Sequence, residues 1–211
     1  MTGAAFLLVA LAAAAAAGDW LAVHAQRKPV EYLCKPLTLV LLTAAAAALD
    51  PADGAVRAWF VAALVLSLLG DVLLMLPANA FRAGLASFLL AHVAYIVGMH
   101  LDGVVAAGFL VGIAVVLVPL AVVGRVILRR LRGGPERALA GPVIAYMAVI
   151  SLMVASAFGT GRWITILAAC LFYVSDSLIA WNRFCGRLRH GPLAIMVTYH
   201  LAQAAFVVSL L

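Results

Sequence analysis

Apolar residues run along this chain in long blocks, broken by short stretches rich in charge or turn-forming residues. The blocks fall near residues 3–22, 36–50, 56–76, 83–101, 103–124, 138–158, 162–182 and 192–211. A helix needs roughly 20 mostly apolar residues to cross a bilayer, so each block is read as a transmembrane helix. The second is the shortest, and Cys34 and Lys35 can extend it. The first contains the alanine string Ala12 to Ala17 with no Lys or Arg before it, which favours a retained helix over a signal peptide.

Composition sharpens the picture. Of the 211 residues 67% are hydrophobic and 10% charged, too little polar surface to cover a soluble globule. The expected architecture is all-α: a polytopic membrane protein with a bundle of eight transmembrane helices in a single domain spanning 1–211. Cys34, Cys170 and Cys185 stand at unrelated spacings in or beside apolar stretches, which suggests neither a disulfide framework nor a zinc site. The net charge of +6 is explained by basic loops, and nucleic acid is not an expected partner.

Those loops orient the chain. Arg27, Lys28 and Lys35 precede helix two, Arg82 follows helix three, Arg125, Arg129, Arg130, Arg132 and Arg137 follow helix five, and Arg183, Arg187 and Arg189 follow helix seven. Only Arg57 and Arg162 fall on the other side, so 12 of the 14 basic residues share one side, which the positive-inside rule makes cytoplasmic. Both termini are then expected outside.

An internal repeat is also visible. Pro36 precedes Asp71 by 35 residues and Pro142 precedes Asp176 by 34, while His92 follows Asp71 by 21 and His200 follows Asp176 by 24. Two four-helix halves of like orientation would produce this pattern.

Ionisable side chains inside a bilayer are costly and ask for a partner or a function. Asp71 and Asp176 lie at matched depth, about five residues or ~7.5 Å from the basic ends of helices three and seven. His92 shares a helix face with Tyr95, and His200 with Gln203, with Tyr199 alongside; both histidines lie nearer the bilayer centre. Lys35 and Asp19 stand at the basic ends of helices two and one, where a simple salt bridge between them would be ordinary. Helices five and six add little beyond Tyr146 and Ser151. These groups point to one chamber open toward the basic side. For Tyr95, Tyr199 and Gln203 the plainer reading is interhelical packing.

Two carboxylates close together in a low-dielectric chamber do not both ionise easily, which yields one acid and one base. Such a pair suits oxocarbenium chemistry of the kind glycosidases perform. The same pair is equally compatible with a divalent metal held together with the histidines, a proton relay in a transporter, or peptide cleavage.

The succession Lys35-Pro36, Gly70-Asp71, Phe88 with His92 and Tyr95, Ser175-Asp176, and Thr198-Tyr199 with Ala202-Gln203 resembles the YhhN-like lysoplasmalogenase family, from about residue 30 to the C-terminus. The resemblance implies an eight-helix membrane enzyme that cleaves the vinyl-ether bond of lysoplasmalogens to a fatty aldehyde and a glycerophospho-alcohol. It carries the family's two intramembrane aspartates onto Asp71 and Asp176. On that reading Lys35 holds the substrate phosphate and His92 and Tyr95 orient the carboxylates or the ether oxygen, with Tyr199, His200 and Gln203 as further candidates around them. The apolar remainder takes the alkenyl chain. A lysophospholipid and membrane lipids are the expected partners, acid–base catalysis needs no metal or other cofactor, and a bacterial inner membrane is the expected location. The family commonly has a second Tyr after the helix-eight Tyr where this sequence has His200, so the resemblance assigns His200 no role. A proton-linked transporter or a non-catalytic membrane protein is the alternative, although the polar residues cluster toward one side and form no track through the bilayer.

Overall fold

A computed structural model describes residues 3–50, 53–76 and 80–211. Among the described residues, eight helices are long and apolar enough to cross a membrane: α1 (Gly3–His24), α2 (Lys28–Ala48), α3 (Gly54–Met75), α4 (Phe81–Asp102), α5 (Ala106–Arg132), α6 (Arg137–Thr160), α7 (Trp163–Phe184) and α8 (Gly191–Val208). The chain is an all-helical, multi-pass membrane protein. Large apolar side chains such as Leu21, Leu33, Leu110, Val118 and Trp163 are exposed on the outside of the bundle, where acyl chains solvate them as well as a protein core would.

Two boundaries differ from those the sequence suggested. α2 begins at Lys28, with Pro29 in its first turn, so Lys35 lies inside the helix and is buried rather than standing at its end. α5 continues through Arg125, Arg129, Arg130 and Arg132, which the hydropathy pattern placed in a loop. That extension is helical because it is amphipathic: Ile127 and Leu131, four residues apart, are buried on one face while the arginines lie on the others. Within α5, Pro119 removes a backbone donor and is followed by a π-helical turn at Leu120–Gly124.

The packing follows the two halves. α1 packs with α2, α3 with α4, α5 with α6 and α7 with α8; α2 lies on α3 as α6 lies on α7, and the halves meet where α4 packs on α6 and α2 on α8. Small residues set the closest approach. A Cβ on Gly112 would come within 2.6 Å of the Ala155 backbone, so α5 sits against α6 at a separation only glycine allows. The symmetry is broken at one seam. α1 packs against α8, but its counterpart α5 makes its backbone contacts with α6 and, by its basic end, with α7, leaving space between itself and α4.

Reporter fusions test the orientation read from the charges: a reporter inserted within 125–137 is expected to read cytoplasmic and one at the C-terminus outside. A cytoplasmic C-terminus would reverse the assignment.

Candidate active site

Each aspartate of one half is met by the fourth helix of the other half. Asp71 on α3 pairs through Oδ1 with the Lys35 ammonium of α2 at 3.0 Å, and its Oδ2 accepts a hydrogen bond from Tyr199 of α8 at 2.7 Å. Asp176 on α7 accepts at Oδ2 from Tyr146 of α6 at 2.5 Å, and His92 of α4 places Nε2 3.5 Å from the same oxygen. His92 sits 2.5 Å by Nδ1 from the backbone carbonyl of Phe88. A carbonyl only accepts, so Nδ1 carries a proton, and Nε2 is the ring nitrogen that faces Asp176. That arrangement suits a proton passed between imidazole and carboxyl.

The two carboxyl groups differ in access. Both oxygens of Asp71 are engaged and the residue is 1% exposed. Among the described residues none is hydrogen-bonded to Oδ1 of Asp176, and Asp176 forms part of the wall of a cavity. Phe81, Leu85 and Phe88 of α4 face Leu120, Val123 and Ile127 of α5 across that cavity, and the wall is apolar apart from Asp176, Ser177, Tyr146 and Tyr173. It fills the open seam. At the closed seam Trp20 of α1 donates to Nδ1 of His200 on α8 at 3.1 Å and fills the corresponding space. The 105-residue offset between the aspartates carries Asp19, beside Trp20, onto Gly124 in the π-helical turn, where the cavity needs room.

The aspartates were expected to share one chamber; Asp176 lines this cavity, and Asp71 is not among the residues on its wall. The Phe88 ring packs against α3 at Gly70, where a Cβ would come within 2.6 Å of it. It meets Tyr199 edge-on at 5.9 Å and Phe172 at 6.3 Å, and also forms part of the cavity wall. Tyr199, like Asp71, is not among the residues on the cavity wall.

The remaining candidates fall away from the cavity. Tyr95 donates to Gln203 at 2.6 Å and stacks on Phe206 at 4.0 Å, both fully buried, as packing between α4 and α8 would have it. His200 is taken by Trp20. Asp19 is fully buried with neither carboxyl oxygen hydrogen-bonded among the described residues, and Lys35 pairs with Asp71 in its place. Sequence reasoning gave Tyr146 little weight and missed Trp20. Tyr146 lies four residues after Pro142 in a mostly apolar helix, a signal that its hydroxyl must find a partner.

A part-buried carboxyl, one oxygen of which has no hydrogen bond among the described residues, thus lies against a tyrosine and a histidine on the wall of a largely apolar cavity in the helical bundle. The family model described as the YhhN family matches residues 30–210, and the chain belongs to that family. A human protein named "Lysoplasmalogenase TMEM86B" is 34% identical over 152 residues, 71% of this chain and 62% of that protein, so the match spans less than two thirds of its length. Its pig counterpart of the same name is 33% identical over 171 residues, 81% of this chain and 71% of that protein. A Mycobacterium tuberculosis protein named "Lysoplasmalogenase" is 32% identical over 200 residues, 91% of this chain and 72% of that protein. Membership thus places the chain among membrane enzymes. No solved structure matches it.

Proposed function

We propose that the protein hydrolyses the vinyl-ether bond of a lysoplasmalogen or a related ether lysolipid, with Asp176 and Asp71 as acid and base. The observation that carries the reading is Oδ1 of Asp176, without a hydrogen bond among the described residues, on the wall of a largely apolar cavity; the names of the relatives support the substrate class. The alkenyl chain enters by the open seam between α4 and α5. Asp176 delivers its proton to the chain-side carbon of the C=C–O unit, whose π electrons form the new C–H bond and leave an oxocarbenium ion. Water adds to the carbon bearing oxygen and loses a proton to Asp71, giving a hemiacetal. The hemiacetal hydroxyl then gives up its proton, the carbon–oxygen bond to glycerol breaks, and the glycerol oxygen takes a proton. One water is consumed, and an aldehyde and a glycerophospho-alcohol leave. The proton from the hemiacetal hydroxyl returns to Asp176 by way of Nε2 of His92, and the proton held by Asp71 goes to the glycerol oxygen, so both carboxyls regain their starting states. Asp71 reaches the water when the Phe88 ring turns aside as the chain enters. On this reading the lipid comes from the cytoplasmic leaflet of a bacterial inner membrane.

The test is incubation of the purified protein with lysoplasmalogen, with free aldehyde and glycerophospho-alcohol measured by mass spectrometry. The two are expected in equal amounts, and release is expected to persist after exhaustive chelation, because the Lys35 ammonium 3.0 Å from Asp71 already occupies the place a cation would take there. Activity lost to the chelator and restored by added metal would replace acid–base catalysis by metal catalysis. No cleavage of any ether lysolipid would favour the transporter reading.

A further inference from the structure

Beside the cavity, toward the basic end of the bundle, lies a second hollow that shares Leu74, Phe81 and Ile179 with it and carries Arg183, Arg187 and Asn182 on its wall. We propose that this vestibule takes the phosphate of the substrate, held by Arg183 and Arg187; the inference rests on the ether-lipid reading above.

Geometry on a single helix argues for it. Asp176 and Arg183 are seven residues apart on α7, so they project from one face about 10.5 Å apart. In a lysoplasmalogen the chain-side vinyl carbon and the phosphorus are joined through seven bonds, roughly 8–9 Å when extended. A substrate whose vinyl ether lies at Asp176 therefore brings its phosphate within reach of a guanidinium two turns on. An apolar groove between α5 and α7 shares Pro119, Val123, Tyr173 and Ser177 with the cavity; it extends from Trp181 and Leu188 at the basic end to Val115 and Val174 in the other direction, and that far part leaves room for the chain. Headgroup at the basic end and chain toward the bilayer middle is also how a lipid already lies in its leaflet.

The arginines are set for an anion. Arg183 lies with its guanidinium 3.6 Å over the Phe81 ring and uses Nη2 for Glu136, which fixes its plane and leaves its other N–H groups for a second acceptor. Arg187 is exposed and has no ion pair among the described residues. It lies in the turn that Asn182 ties down by accepting the Leu188 N–H at 2.8 Å. Lys35, the cation expected to hold the phosphate, is buried, pairs with Asp71 and lines neither the cavity nor the vestibule.

The experiment compares two substrates in neutral detergent: a lysoplasmalogen and the same alkenyl glycerol ether without phosphate. Arg187→Gln and Arg183→Gln are each expected to raise KM for the phosphate-bearing substrate about tenfold with kcat within about twofold. KM for the phosphate-free ether is expected to stay put, and Arg187→Lys to retain much of the affinity. Arg187, being exposed, keeps the test open if Arg183→Gln fails to fold. Equal changes for both ethers, or no change for either, would overturn the vestibule while leaving the reaction intact. Inhibition by inorganic phosphate that the variants relieve without any KM change would also overturn it, marking a free-anion site instead. Cleavage of neither ether by the unaltered protein would overturn the reaction reading, and the vestibule with it.

Discussion

Asp176→Asn is expected to lower aldehyde release by about a thousandfold or more, with the folded protein recovered in normal yield. In the proposed reaction the carboxyl gives a proton to the vinyl carbon and is recharged in each cycle, and an amide does neither; positioned acid–base groups contribute on the order of 10² to 10⁴ in rate. Asn keeps the shape and can still accept from Tyr146, so packing between α6 and α7 is preserved. Asp71→Asn is expected to be comparably damaging, because the water must lose a proton to a group on that side of the site. The measurement is single-turnover aldehyde formation, with gel-filtration profile and thermal unfolding in detergent as controls for folding. Asp176→Asn at the wild-type rate would sink the mechanism. Asp71→Asn at the wild-type rate, with Asp176→Asn dead, would leave Asp71 as no more than the counter-ion of Lys35.

Helix number and type were legible because apolar length is a strong, local property of the chain, and the two aspartates stood out because charge in such a block is costly. Partner choice was not legible. Whether Lys35 meets Asp19 or Asp71 depends on how α1, α2 and α3 rotate about their axes, which no spacing within one helix reports. The matched spacing of His92 and His200 suggested equivalent roles, yet His92 faces Asp176 while Tyr199, one residue before His200, faces Asp71. A one-residue step on a helix turns a side chain by about 100°, enough to exchange one partner for another. The open seam was likewise invisible, since it arises from the standing-off of α5, a contact that does not form. Nor did the arginines after Gly124 reveal that they continue a helix; their period becomes informative only once Ile127 and Leu131 are seen buried.

The ion pair at the first aspartate carries the largest expected stability effect. Lys35→Met removes the ammonium and leaves the Asp71 carboxyl buried with Tyr199 as its remaining hydrogen-bond donor. Breaking a buried pair from one side typically costs about 3–5 kcal/mol, because the abandoned charge has no water to return to. The variant is therefore expected to unfold at markedly lower denaturant or temperature in detergent. Adding Asp71→Asn should restore most of the loss, since the double variant buries no charge and paired replacement of a buried ion pair by neutral groups is close to neutral. Unfolding of Lys35→Met at the wild-type midpoint would mean that the pair is absent in the membrane, freeing Lys35 for another anion. The same double variant separates that outcome from a stability effect alone. It lacks activity through its Asn, but its binding of a non-cleavable alkyl ether lysolipid should match that of Asp71→Asn, whereas a phosphate held by Lys35 would make binding about tenfold weaker.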